Sequence, residues 1–192
     1  MMKYAIPTLA LLLFVACGTG PESTSTDQEK DGGKAAEMVG RIHTMEDTLF
    51  AKNTFDIRGA SALLDVYRSF AKEFPTDTMA PEYLFRGAGV AKALGRPNET
   101  LTLYDRIIKD YPAWRRIPDT YYLKAFTLDN DLRQKGEAQK AYEEVISRFP
   151  DHRFARDARA MIDNLGLTDE ELIQKFERMN ADSAKASATA HQ

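Results

Sequence analysis

The residues able to do chemistry in this chain are few and scattered. The one cysteine, Cys17, closes an apolar run in the stretch LLLFVACGTGPES, residues 11–23. A thiolate is the strongest nucleophile among the side chains, so the placing of this thiol bears on the compartment of the whole chain. With no second cysteine, a disulfide within one chain is excluded. The histidines, His43, His152 and His191, lie in different segments, and none has a second ligand at zinc spacing. Gly87-Ala88-Gly89 opens like a dinucleotide fingerprint, but Lys92 stands where its third glycine is needed and no strand precedes it. Glu143-Glu144 and Glu170-Glu171 are adjacent in sequence. Adjacent residues on a helix do not face each other, so both pairs read as solvated surface. There is no glycine-flanked serine elbow and no phosphate loop. No catalytic residue, metal site, cofactor or small-molecule substrate is expected.

The N-terminus gives Cys17 a context. Lys3 supplies a weakly positive start, and Ala5 to Ala16 is apolar apart from Pro7 and Thr8. That core is about half of the ~20 residues needed to cross a hydrocarbon layer, so it reads as a secretory signal. Phe14-Val15-Ala16-Cys17 resembles the lipobox of bacterial lipoproteins, with Phe14 in place of the usual leucine. The resemblance implies that residues 1–16 are removed and that Cys17 is acylated. Several acyl chains, at about 0.8 kcal/mol per buried methylene, would hold the chain on a membrane. Removing residues 1–16 takes away Lys3 and no acid, which moves the net charge from −3 to −4. A mildly acidic chain without a basic patch excludes a nucleic-acid partner.

Residues 17–34 are expected to be the lipidated cysteine and a disordered tether. GTGPESTSTDQEKDGGK, residues 18–34, has no large apolar residue and too little to bury to offset its ordering entropy. A flexible tether of that length would reach roughly 20–25 Å. Residues 181–192 are similarly small and polar and are expected to be a disordered tail.

Between these flanks the sequence repeats itself. LLDVYRSFAKEFP (63–75), TLTLYDRIIKDYP (100–112) and AQKAYEEVISRFP (138–150) align without gaps at spacings of 37 and 38 residues. Tyr67, Tyr104 and Tyr142 share one column, Phe74, Tyr111 and Phe149 a second, and Pro75, Pro112 and Pro150 close each stretch. The apolar residues fall at helical intervals, and the proline is a helix stop. Upstream, PEYLFRGAGVAKALG (81–95) and PDTYYLKAFTLDNDL (118–132) each open on a proline suited to a first helical turn. Each period is therefore a helix, a turn, a second helix and a proline. Residues 35–51 add an amphipathic helix with Met38, Ile42, Met45 and Leu49 on one face. Phe154 to Leu165 is a short helix stopped at Gly166, and Thr168 with Glu171 makes a capping box for a last helix, 168–180. Leu172, Ile173, Phe176 and Met179 are expected to face inward there, leaving a charged outer side as a solenoid's end requires.

This pattern resembles the tetratricopeptide repeat. Gly95, 17 residues before Pro112, sits where that family places the glycine between its two helices. The resemblance implies an all-α, right-handed α-solenoid of about four helix pairs over 35–180. The long periods resemble those of bacterial envelope lipoproteins, such as the lipoprotein of the outer-membrane β-barrel assembly machine and the Tol-Pal-associated division coordinator. In the repeat family the concave face is lined by the first helix of each pair. Carried over, it comprises Glu82, Phe85, Gly89 and Lys92 from the second repeat and Thr120, Leu123, Thr127 and Asn130 from the third. A separate candidate is AWRRIP (113–118), where Trp114, Arg115 and Arg116 have the composition of an interface hot spot.

The expected function is a non-catalytic scaffold, anchored by lipid in the outer membrane and facing the periplasm, with cell-surface display as an alternative. It would bind envelope proteins through a peptide segment or helix in the groove, as a monomer within a larger complex. The division coordinator ranks second. Its N-terminal coiled coil needs three or four heptads, more than residues 35–51 hold.

Overall fold

The computed structural model describes residues 24–51 and 54–189, so the stretch expected to be a signal (1–16), Cys17 and His191 lie outside the described residues. In chain order the elements are α1 (Thr24–Phe50), α2 (Ile57–Glu73), α3 (Ala80–Ala93), α4 (Pro97–Asp110), α5 (Ile117–Phe126), a π-helical turn (Thr127–Asp131), α6 (Lys135–Arg148), α7 (Arg153–Ile162) and α8 (Asp169–Thr189). There is no strand among the described residues. Each helix from α1 to α7 packs on the next in sequence, which is the order of a stacked α-solenoid.

Proline and an aromatic residue end the second helix of each pair in the same way. Proline disfavours the helical conformation in the residue before it. Phe74, Tyr111 and Phe149 accordingly leave the helix at φ −123°, −131° and −133°. Each still donates its backbone N–H to a carbonyl four residues back, Phe70, Ile107 and Val145 respectively. The first helices open with Pro81 and Pro118 inside the first turn, where the missing N–H costs nothing. Asp56 caps α2 by accepting from the Gly59 N–H at 2.9 Å. His152 caps α7, its Nδ1 accepting from the Phe154 N–H at 3.3 Å.

The tyrosine column, Tyr67, Tyr104 and Tyr142, is buried throughout. Small residues let the helices close around it. At Gly87 an added Cβ would lie 3.3 Å from Leu64 Cδ1, so α3 approaches α2 more closely than a larger residue permits. One core joins α1 to α4 and the start of α5, and a second joins α5 to α7; Tyr121 and Phe149 pack against both.

The third repeat carries one extra residue, and the π-helical turn is where it goes. The prolines of α3 and α5 are 37 positions apart, whereas α4 and α6 begin 38 apart. Between these points the Leu132 N–H reaches back five residues to the Thr127 carbonyl at 3.1 Å, widening the helix by one residue. The chain then turns at Arg133, with φ +56°, 38 positions after Gly95 with φ +69°. These are the two described residues with positive φ. Arginine thus occupies a left-handed position that glycine fills in the previous repeat.

Three expectations need correction. Helix α1 begins at Thr24, not at residue 35, so residues 24–34, expected to be part of a disordered tether, are helical. Apart from Gly32 and Gly33, nothing after Pro21 opposes helix, and extending an already formed helix is far easier than starting one. Helix α8 likewise continues to Thr189 through an alanine-rich stretch that was expected to be tail. The capping box forms as expected: the Thr168 N–H donates to Glu171 Oε2 at 2.8 Å and the Glu171 N–H to Thr168 Oγ1 at 3.2 Å. The face it launches, however, does not turn inward. Ile173, Phe176 and Met179 are 58%, 51% and 54% exposed, and only Leu172 is half-buried. Helix α7 has ten residues, and those it buries are Ala155 and Ala158, so it offers α8 little apolar surface to lie against.

The left-handed pair makes a direct test. Arg133→Gly is expected to raise unfolding stability by up to about 1 kcal/mol, and Gly95→Ala to lower it by about the same amount. Urea unfolding followed by circular dichroism would measure both.

Candidate protein-docking groove

A chain of charged and aromatic side chains runs across the first helices from one repeat to the next. On α1, Glu46 accepts a short hydrogen bond from the Tyr67 hydroxyl of α2 and another from Arg86 Nη1 of α3 at 2.9 Å. Arg86 Nε donates to Glu82 Oε1 at 3.1 Å. Glu82 Oε2 lies 3.6 Å from Arg116 Nη1, and Arg116 Nε lies 3.6 Å from Asp119 Oδ1 on α5. Burial, the hydrogen bond to Glu46 and the charge of Glu46 together push the Tyr67 phenol well up, so it remains a donor. Burial works against the Arg86 charge, but its bonds to Glu46 and Glu82 outweigh that and raise its pKa further.

Arg116 is the hinge of this chain because it also makes the aromatic contacts. Its guanidinium lies 3.8 Å from the Phe85 ring centre and 5.8 Å from that of Trp114. The Phe85 and Trp114 rings meet edge to face at 5.5 Å, the arrangement that aromatic quadrupoles favour. Phe85 in turn lies 6.0 Å from Tyr104. Burial pushes the Tyr104 phenol up to about 12, with the Arg116 charge opposing.

Of the residues expected from sequence, Phe85, Trp114 and Arg116 are therefore brought together. Trp114 is half-buried under α3, packed rather than displayed, and Arg115 beside it is exposed. Lys92 pairs with Asp131 of the π-helical turn and lies 5.1 Å from the Phe126 ring centre, which ties α3 to α5. Thr127 does not belong to the groove. It is buried, with its hydroxyl donating to the Leu123 carbonyl at 2.9 Å. Thr120 is buried too, donating to the Arg116 carbonyl at 2.9 Å. Leu123 is half-buried against the first core.

The expected register of the third repeat is one residue late. Before the π-helical turn the offset is 37, as the prolines Pro81 and Pro118 already signal, so Glu82, Phe85 and Gly89 correspond to Asp119, Tyr122 and Phe126. Asp119 takes part in the ion-pair chain, Tyr122 stacks on Phe154 at 4.4 Å, and Phe126 receives Lys92.

At its N-terminal end this face opens into a cleft of about 560 Å³, which sequence reading missed. Leu49, Phe50, Phe55, Val90 and Ala93 line it, together with Glu46 and Arg86. Among the described residues no cluster of His, Cys, Asp and Glu could hold a metal ion, and no helix is long and apolar enough to cross a membrane.

Residues 119–152 match the tetratricopeptide repeat. The match covers the third repeat from α5 to the residue that caps α7, including the π-helical turn. About four fifths of the chain is similar to the outer membrane protein assembly factor BamD of Xylella fastidiosa. For strain Temecula1 it is 25% identical over 164 residues, covering 77% of this chain and 53% of the relative. For strain 9a5c it is 26% identical over 176 residues, covering 82% and 57%. The chain thus spans a little over half the length of the curated relatives it matches.

Arg116→Ala removes the contact with Phe85 and the pairing with Glu82 and Asp119 at once. It is expected to cost about 1–2 kcal/mol in urea unfolding, with Arg116→Lys recovering less than half, because an ammonium cannot lie flat on the ring and reach both carboxylates.

Proposed function

We propose that this chain is a non-catalytic, lipid-anchored scaffold of the bacterial cell envelope, acting in outer-membrane protein assembly. Its groove face docks an extended segment or helix of another envelope protein. The observation that carries the proposal is the continuous groove face of tetratricopeptide-like helix pairs, braced by the Glu46–Arg86–Glu82–Arg116 chain. A braced face presents its partner with a preorganised surface, which lowers the entropy lost on binding. Similarity to assembly factors supports the pathway, and the lipobox-like Phe14-Val15-Ala16-Cys17 supports the anchor.

The division-coordinator reading gains length from α1, which at 27 residues approaches four heptads. It gains no seam. The heptad-spaced residues Ala35, Met38, Ile42, Met45 and Leu49 are already spent on the core of their own chain, and residues 24–34 have no large apolar residue to extend the stripe.

Two measurements test the proposal in cells. A photo-crosslinking residue at Gly89, on the exposed groove face, is expected to capture a discrete envelope protein, while one at Asp65 on α2 captures none. No capture at Gly89, or turnover of ester, phosphate or glycan substrates by the purified chain, would defeat the scaffold reading. Cys17→Ser is expected to abolish fatty-acid labelling and release the chain from the membrane fraction. Retention on the membrane would defeat the anchor.

A further inference from the structure

The aromatic and proline columns do more than end helices. Along the edge of the stack where α2 and α4 end, a cleft of about 410 Å³ opens between the α2–α3 and α4–α5 turns. Pro75, Pro81, Tyr111, Pro112 and Trp114 line it. A smaller cleft of about 270 Å³ beside α1 shares Pro75, Thr76 and Asp77 with the first, so the two make one furrow. It contains none of Glu82, Phe85, Gly89 and Lys92 of the groove face.

We propose that this furrow docks an extended, proline-containing segment of another protein, flanked by basic residues. Hydrogen bonding, shape and charge select that occupant. The Trp114 ring packs edge to face on Phe85, yet its indole N–H bonds to no described residue and is not buried. The Tyr111 phenol is likewise unbonded to any described residue and open to solvent. Burial of its ring pushes its pKa up against the opposing Arg106 charge, so it stays a donor. Two free donors call for acceptors. A docking helix has spent its carbonyls on its own hydrogen bonds, whereas a polyproline II segment has no internal hydrogen bonds and leaves them free. A docking strand would need a sheet edge, and the described residues form no strand. With three residues per turn, a Pro-x-x-Pro core puts both prolines on one side. Such a stiff segment loses little freedom on docking between aromatic rings. The charge is one-sided: Glu73, Asp77 and Asp110 line the furrow, and no lysine or arginine does. Asp110 is shared with Arg106 at 3.4 Å, but Glu73 and Asp77 have no cation partner among the described residues. Lys72 lines a separate cleft with Arg68 and Arg106. The inference does not rest on the groove reading, because it uses a different surface.

Trp114 is the chain's one tryptophan, so its fluorescence reports on the furrow directly. The probes are tryptophan-free peptides of about ten residues, roughly 30 Å long as polyproline II. Each carries a Pro-x-x-Pro core between arginines, with the x positions varied across an array, and is titrated against the full chain in detergent. The best binders are expected to shift the Trp114 emission saturably. They should lose about 10-fold in affinity when their prolines become alanine or their arginines become glutamate. Trp114→Phe keeps a ring and removes the donor. Asp77→Asn removes the charge and keeps the acceptor that holds the Met79 N–H at 2.7 Å. Each variant is expected to weaken binding about 3- to 10-fold, read by anisotropy of a labelled peptide, with the circular dichroism spectrum unchanged. The proposal is overturned if no array peptide shifts the emission at about 1 mM, or if the alanine peptides bind as well. Binding that either variant leaves unchanged also overturns it, because the peptide would then sit elsewhere on the chain.

Discussion

An aromatic ring wedged between the two helices of a pair is the contact on which the rest of this structure depends. Tyr104 meets Phe85 at 6.0 Å and Tyr142 meets Tyr122 at 5.8 Å, second helix against first. Tyr67 makes the same kind of contact one step on, stacking at 5.5 Å on Tyr83 of the following pair. A two-helix unit cannot cover its own apolar face. The rings fill the space between helices while small residues such as Gly87 and Ala88 bring the backbones close. These buried rings hold the second helix of a pair against the first. The ion-pair chain over the first helices is a consequence of the stacking. Such half-exposed pairs contribute modestly to stability, but they fix side chains in place.

What could be read from the sequence was what repeats. The tyrosine, aromatic and proline columns located α2, α4 and α6 because each column has a local physical cause: burial, a helix end and a disfavoured φ/ψ region. The Thr168–Glu171 capping box was legible for the same reason, since its bonds span three residues. The joining of Phe85 to Trp114 and Arg116 was half legible. Composition marked Trp114 and Arg116 and the repeat family marked Phe85, but only the fold shows that they touch.

What could not be read depended on a neighbour or on a count. A single spacing of 38 puts Thr127 in the groove, whereas the third repeat contains two spacings. The offset of the prolines held the answer, and the extra residue beyond them hid it. The direction of α8 was misjudged for another reason. Periodicity says that Ile173, Phe176 and Met179 share a side, and nothing in that pattern says whether a partner surface exists. The short α7, with its alanines already buried, fails to supply one. The start of α1 was missed because polar composition measures what a segment can bury, whereas a helix that has already formed needs nothing buried in order to continue.

The π-helical turn has a consequence for how such a chain can change over generations. An added residue at Thr127–Asp131 is absorbed where it enters, and the helices on either side keep their partners. The stack therefore tolerates a change of length at its connectors that it would not tolerate within a helix, where one residue rotates every later side chain by about 100°. The cost is local, one left-handed arginine at roughly 1–2 kcal/mol. Period length and packing geometry are thus inherited separately: insertions and deletions can accumulate at the connectors, while the surface that meets a partner stays in register up to the point of each change.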